Sequence, residues 1–225
     1  MTTVGNLLAF APELWLLVGA IVVFVMARLM PRVSTTPVAL VALIAAFLAL
    51  ATQFKQTITI LDGAFLLDGF AIVVDVVLLA AAALTLLASR ADILPGDGES
   101  AAVPGFFLLA TLGAMLAASA AEMVSLFLAL ELLAVSLYVL TVLARRGFAP
   151  ATAGLGYLVA GAACSALFLY GLALVFGLTG ETQLVAAGRA MAAIGPNQPA
   201  VLLALSLLLG GLSIRMGLLP LRWWR

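Results

Sequence analysis

Two thirds of the 225 residues are apolar, 9% are charged, and the mean hydropathy is +1.30. A soluble domain of this length would carry far more charge, so the composition predicts an all-α, multi-spanning membrane protein. The ten cationic and ten acidic side chains balance and give no basis for a nucleic-acid partner, and the absence of histidine excludes imidazole metal sites, haem ligation and a Ser-His triad. The single cysteine, Cys164, lies in an apolar run of small residues and reads as a packed hydrophobe. The first apolar stretch is too long, and its start too poor in positive charge, for a cleaved signal peptide.

Seven apolar runs separated by polar breaks form one membrane domain over residues 1–225, with spans expected at 13–29, 37–51, 70–89, 104–120, 123–144, 152–178 and 199–219. In the first, Pro12 suits the first helical position. Glu13 falls in the first turn, where the positive helix end favours a carboxylate. Thr36 is a plausible cap for the second span. Thr52 to Asp68 is a polar segment, and Asp68-Gly69 leads the third span. Arg90 to Glu99 is the most polar loop, with Pro95-Gly96-Asp97-Gly98 as its turn cluster. Between spans four and five, Ser119 to Glu122 must be a tight connection, which makes those spans antiparallel neighbours. The sixth span is rich in glycine, alanine and serine, residues that let helices approach closely in lipid.

Alternating the seven spans collects Arg28, Arg32, Arg90, Arg145, Arg146, Arg222 and Arg225 on one side. Only Lys55 and Arg189 fall on the other. The cationic side is the cytoplasmic one, so the N-terminus is expected outside and the C-terminus, with its Leu-Arg-Trp-Trp-Arg anchor, inside.

Besides Glu13 and Arg28 at the two ends of the first span, three charges fall within the expected spans. Glu131 is the deepest, roughly 20 Å from the Arg145 end of its helix. A carboxylate there costs several kcal/mol unless it is paired, hydrated or protonated, so it is read as functional. The bland alternative is one protonated carboxyl hydrogen-bonded to a neighbouring helix. Asp75 lies roughly 10 Å into span three, where an interfacial or wet-cavity carboxylate is as good a reading as a functional one. Arg215, in span seven, either snorkels to the interface or pairs with Glu131. Counting places it about 10 Å nearer the cytoplasmic end than Glu131. A break at the preceding Gly210-Gly211 would bring the two level. No phosphate loop, dinucleotide fingerprint or metal-ligand cluster is present. The residues alone point to ion or proton translocation, or to a structural membrane subunit.

The order of these residues resembles the antiporter-like membrane subunits of respiratory complex I, the proton-pumping NADH:quinone oxidoreductase. Among them it looks most like subunit N. The resemblance rests on Ala11-Pro12-Glu13-Leu14, on Asp68-Gly69-Phe70-Ala71, and on LLATLGAMLAASAAEMVSLFLALELLAVSLYVLTV within Phe107–Val142. It continues through SALFLYGLALVFGLTG within Gly161–Gly180. It closes on GLSIRMGLLPLRW at Gly211–Trp223, which is similar to the family's G-L-x-F-K-x-x-x-x-P-F-H-x-W. The resemblance implies the first repeat of an antiporter-like fold with a broken seventh helix at Gly210-Gly211. It also implies a Glu131–Arg215 charge pair for proton translocation, with Asp75 and Tyr138 on a polar path.

By the same resemblance, NAD, quinone, FMN and iron–sulfur clusters belong to other subunits. The partners are other membrane-arm subunits and the lipid of the cell's inner (plasma) membrane. The chain departs from the family pattern at its lysines. Gly156 stands at the lysine of A-x-x-K-Y, Arg215 at that of the seventh span, and Asp75 at that of the third. Arginine holds a partner carboxylate ionised but is a poor proton carrier. The alternatives are a structural remnant without transport and a component of a multi-subunit cation/proton antiporter.

Overall fold

The structure is a computed structural model that describes residues 9–30, 32–53, 57–88, 98–143 and 148–216. Lys55, Arg90, Arg145, Arg146 and the closing Pro220–Arg225 lie outside the described residues, as does most of the Pro95–Gly98 turn. The elements run α1 (Ala11–Leu29), α2 (Thr36–Thr52), β1 (Ile58–Ile60), β2 (Phe65–Leu67), α3 (Gly69–Ala88), α4 (Gly98–Ser119), α5 (Met123–Leu143), α6 (Phe148–Thr179), α7 (Leu184–Ile194) and α8 (Pro199–Arg215). Among the described residues, five helices are long and apolar enough to cross a membrane: α1, α3, α4 from Ala101, α5, and α6 from Gly154. The protein is a multi-pass, all-α membrane protein. Helices α2 and α8 are equally apolar but have 17 residues each, about 25 Å of helix.

Prolines open α1, α2 and α8, where a missing backbone N–H leaves no hydrogen bond unmade. Thr36 is the first residue of α2 rather than its cap. The cap position is Thr35, whose hydroxyl instead donates across to the Ala101 carbonyl (2.6 Å) and ties the foot of α2 to α4. Helix α4 starts at Gly98, six residues before the expected Pro104, so Pro104 is an interior residue.

Two cores result. The first joins α1 to α4 around Leu16, Leu43, Ile72, Leu79, Leu108 and Met115. Helix α1 packs on α2 and α4, and α3 packs on the same two, so α1 and α3 stand diagonally across a four-helix group. The second core joins α5 to α8 around Met123, Phe168, Leu172, Val175 and Ala204. The two meet where α4 packs on α5, the antiparallel pair expected from their tight connection. At that contact a Cβ on Gly113 would stand 2.6 Å from the Leu133 nitrogen and 3.0 Å from the Ala129 carbonyl, so only glycine lets the backbones meet.

A polar belt closes one end of the bundle. Within the polar segment Thr52 to Asp68, β1 and β2 form an antiparallel hairpin in which Ile58 faces Leu67. Its turn has Leu61, Asp62 and Gly63 all in the left-handed region. The hairpin's Ala64 carbonyl accepts from the Ala121 N–H (2.9 Å), and its Gly63 carbonyl accepts from Gln183 Nε2 (3.0 Å). Met123 N donates to the Thr182 carbonyl, and the Thr182 hydroxyl donates to Glu122 Oε1 (2.5 Å). Three connections far apart in sequence therefore satisfy one another's backbone groups.

Replacing Gly113 with valine should force α4 and α5 apart. The expected loss of about 1–3 kcal/mol is measured as a lower midpoint of thermal unfolding of the purified chain in detergent. An unchanged midpoint would mean that this contact does not hold the cores together.

Candidate functional site

Glu131 occupies the ninth position of α5, and Arg215 is the last residue of α8. Both helices pack against α6, which stands between them. The structure brings their side chains together: Arg215 Nη2 donates to Glu131 Oε1 at 2.8 Å. The pair is half-buried, with 16% of the arginine side chain and 30% of the glutamate side chain exposed.

Helix α6 supplies a third member that the sequence reading treated only as a small packing residue. The Ser165 hydroxyl donates to the same Glu131 Oε1 at 2.6 Å and accepts from Arg215 Nη2 at 3.2 Å. Its other acceptor is the Gly161 carbonyl one turn back, at 3.0 Å. A hydroxyl has one proton to donate, so Ser165 alternates between a carboxylate and a backbone oxygen while its lone pairs take the guanidinium. A serine four residues after Gly161 and one after Cys164 was the available signal, because an intramembrane hydroxyl needs a partner on its own or a neighbouring helix.

The pair does not form by the route the sequence suggested. Helix α8 runs unbroken through Gly210 and Gly211 to Arg215, so those glycines do not interrupt it. Gly211 acts as a contact point. A Cβ there would lie 2.9 Å from both the Cys164 carbonyl oxygen and the Phe168 nitrogen, on the α6 backbone. No atom stands within 4 Å of the corresponding point at Gly210. Glycine at 211 thus lets α8 touch α6 directly beside Ser165. Side chains on a helix lean toward its N-terminus, so a long arginine at the C-terminal end of α8 reaches back along the bundle toward the deeper Glu131. Helix contact and side-chain length do what a helix break was expected to do.

Tyr138 stands two turns after Glu131 on α5 and is buried. Its phenol lies beside the Arg215 guanidinium. Its hydroxyl presses on Gly161, where a larger residue would find no space, and its ring meets Tyr157 edge-on at 4.8 Å. Gly156, at the position of the motif's lysine, has nothing within 4 Å of where a side chain would begin. Among the described residues no group of three metal-ligating side chains is gathered.

Asp75 does not join this cluster. Instead of an interface or a wet cavity it occupies the first core, with 0% exposure, between Ile72 and Leu79 on α3.

Residues 120–225 match the model of the family described as NADH:quinone oxidoreductase/Mrp antiporter, TM. The chain is similar to the NADH-quinone oxidoreductase subunit N 2 of Rhizobium meliloti, with 36% identity over 96% of this chain and 46% of that protein. It thus spans about half the length of the curated relatives it matches. In three dimensions it is similar to a chain of respiratory complex I from Thermus thermophilus with bound aureothin. That match has 29% identity and a TM-score of 0.76, over 95% of this chain and 45% of that one. The same fold recurs in the membrane-bound sulfane sulfur reductase, an archaeal respiratory membrane complex, with 24% identity and a TM-score of 0.83 over 97% and 46% of the two chains.

Gly211→Leu should push α8 from α6 and separate Arg215 from Glu131. Thermal stability of the purified protein is expected to fall. A Cys164-attached probe should report greater local mobility, whereas Gly210→Leu, which meets open space, should change neither.

Proposed function

We propose that this chain, which is similar to the antiporter-like membrane subunits of NADH:quinone oxidoreductases and Mrp antiporters, is one of them and works in the membrane arm of a proton-translocating NADH:quinone oxidoreductase. There it contributes to proton transfer coupled to electron flow from NADH to quinone. Its partners are the other membrane-arm subunits, and the nicotinamide, flavin, iron–sulfur and quinone chemistry takes place outside this chain. The seven apolar helices α1 to α6 and α8 are its spans. The arginine bias of the sequence sets the N-terminus outside and the C-terminus in the cytoplasm.

The observation that carries this reading is the Arg215–Ser165–Glu131 cluster. A carboxylate within a membrane bundle needs an answering charge or a proton. Arg215 supplies the charge and, as a guanidinium, keeps it. Glu131 is then the member of the pair able to gain and lose a proton. When a proton arrives on the carboxylate, the ion pair loses its attraction and Arg215 is released toward Ser165 and Tyr138. When the proton leaves, the pair closes again. The fixed cation makes the site a switch for the proton on Glu131, with the Ser165 hydroxyl as the adjacent donor and acceptor.

A structural, non-transporting role is the second reading. It draws on Gly156, which leaves that stretch of α6 without a lysine or any other charged side chain.

Proton pumping in native-host membrane vesicles, driven by NADH and a quinone, separates the two. Glu131→Gln should abolish pumping while the membrane complex still assembles. Arg215→Lys, which keeps the cation, should retain it, and Gly156→Lys should not be required for it. Pumping that survives Glu131→Gln, combined with collapse of the complex when the chain is deleted, would establish the structural role instead.

A further inference from the structure

Two buried carboxyls take no part in the Glu131 site. Glu13 stands in the first turn of α1, 6% exposed, and Asp75 in the second turn of α3, 0% exposed. Their helices stand diagonally across the first core, each packed on α2 and α4, and both start at its hairpin end, α1 with the Phe10 ring on Phe65 and α3 directly after β2. Both carboxylate oxygens of Asp75 and the Oε2 of Glu13 are buried with no hydrogen-bond partner. Well-packed interiors rarely leave three such atoms in one place, and each one calls for an explanation.

No fixed cation answers them among the described residues. Helix α2 carries no ionisable side chain, β2 is Phe65-Leu66-Leu67, and α4 carries none from Ala101 to Ser119. On their own helices, Arg28 is in the last turn of α1, about 22 Å along the axis from Glu13. Asp68, at the head of α3, accepts from the Ala71 N–H at 2.9 Å. On α5, whose Leu132 packs on this core, Glu131 is engaged by Arg215 and Ser165. Two carboxylates in such a place would each lack hydration and would repel one another, so at least one positive charge must enter with them. A divalent metal ion asks for about six or more oxygen ligands, which three orphan oxygens among leucine, isoleucine and alanine side chains do not offer. A proton asks for one.

We propose that Glu13 and Asp75 form a second intramembrane proton-binding site, a carboxyl–carboxylate pair that holds at least one proton at neutral pH and is separate from the Glu131–Arg215 cluster. It lies beneath the hairpin end of the bundle. There Gln53 Nε2 donates to the Ala9 carbonyl (3.0 Å) and the Phe10 ring meets Phe65 edge-on at 5.4 Å, closing the foot of α1. In this proposal the proton binds as an O–H on one carboxyl and is shared with the other, which would satisfy two of the orphan atoms at once. Nothing in this depends on whether the chain pumps.

The test is infrared spectroscopy of the full chain in membranes, titrated across neutral pH in light and heavy water. A carboxylic C=O band should be present at neutral pH in wild type and shift in heavy water. Glu13→Gln or Asp75→Asn alone should move it, and the double variant should remove it, while Glu131→Gln should leave it in place. Absence of any such band from wild type at neutral pH would overturn the proposal, and that measurement stands even if the variants fail to insert. Bleaching of the band by sodium chloride at constant pH, without the same effect from choline chloride, would assign the site to a metal cation and overturn the proton reading.

Discussion

An ionised group inside hydrocarbon has to be answered locally, and the arrangement of this chain follows from how its two sets of buried charges are answered. In the second core the answer is a fixed cation. Arg215 reaches Glu131 at 2.8 Å, and Ser165 completes the triangle from the helix between them. Each member comes from a different helix, so the cluster exists only while α5, α6 and α8 stay in register. The ion pair and the helix packing are therefore one cooperative unit. Removing either partner would leave an uncompensated charge in a place of low dielectric.

Close backbone contact makes that register possible. In lipid there is no hydrophobic drive to bring apolar helices together, so packing must come from surfaces that fit. Gly211 meets the α6 backbone and Gly171 meets the α8 backbone, with Leu208 N 2.7 Å from where a Cβ would stand. The two glycines lie on opposing helices and fix the α6–α8 crossing from Ser165 to Gly171. Gly113 plays the same part between the cores. At the hairpin end the connections are locked by backbone pairing, from Ala64 to Ala121 and from Met123 to Thr182. Mobility needed for proton transfer is left to side chains: a serine hydroxyl with two acceptors, a tyrosine, and a long arginine.

The first core answers its charges differently. Among the described residues it has no cation to offer Glu13 and Asp75, and its walls are apolar. The contrast between the halves is chemical as well as geometric. One acid is held by a group that never gives up its proton, and the other two are buried in one apolar core with oxygens that no hydrogen bond reaches. Arginine rather than lysine at position 215 strengthens the contrast, because a planar guanidinium keeps two donors on one side of its partner and stays charged when desolvated.

Much of this was legible from the order of residues. Membrane class, the position of most helices, the antiparallel α4–α5 pair and the importance of Glu131 all follow from hydropathy and from the cost of a buried charge, which are local properties of the chain. The polar segment hid a hairpin. Asp62-Gly63 is a turn signal, but three-residue strands are too short for periodicity to register. Helix α7 was passed over because its 11 residues cannot span. The sequence by itself determined which residues carry charge into the membrane, because the cost of burial is written in composition and spacing. Only the tertiary structure decided which charges meet. It joined Arg215 to Glu131 without a helix break, drew Ser165 into the pair, and buried Glu13 and Asp75 in the same core. Those outcomes depend on helix crossings set by contacts between residues 34 to 84 positions apart, which no local pattern encodes.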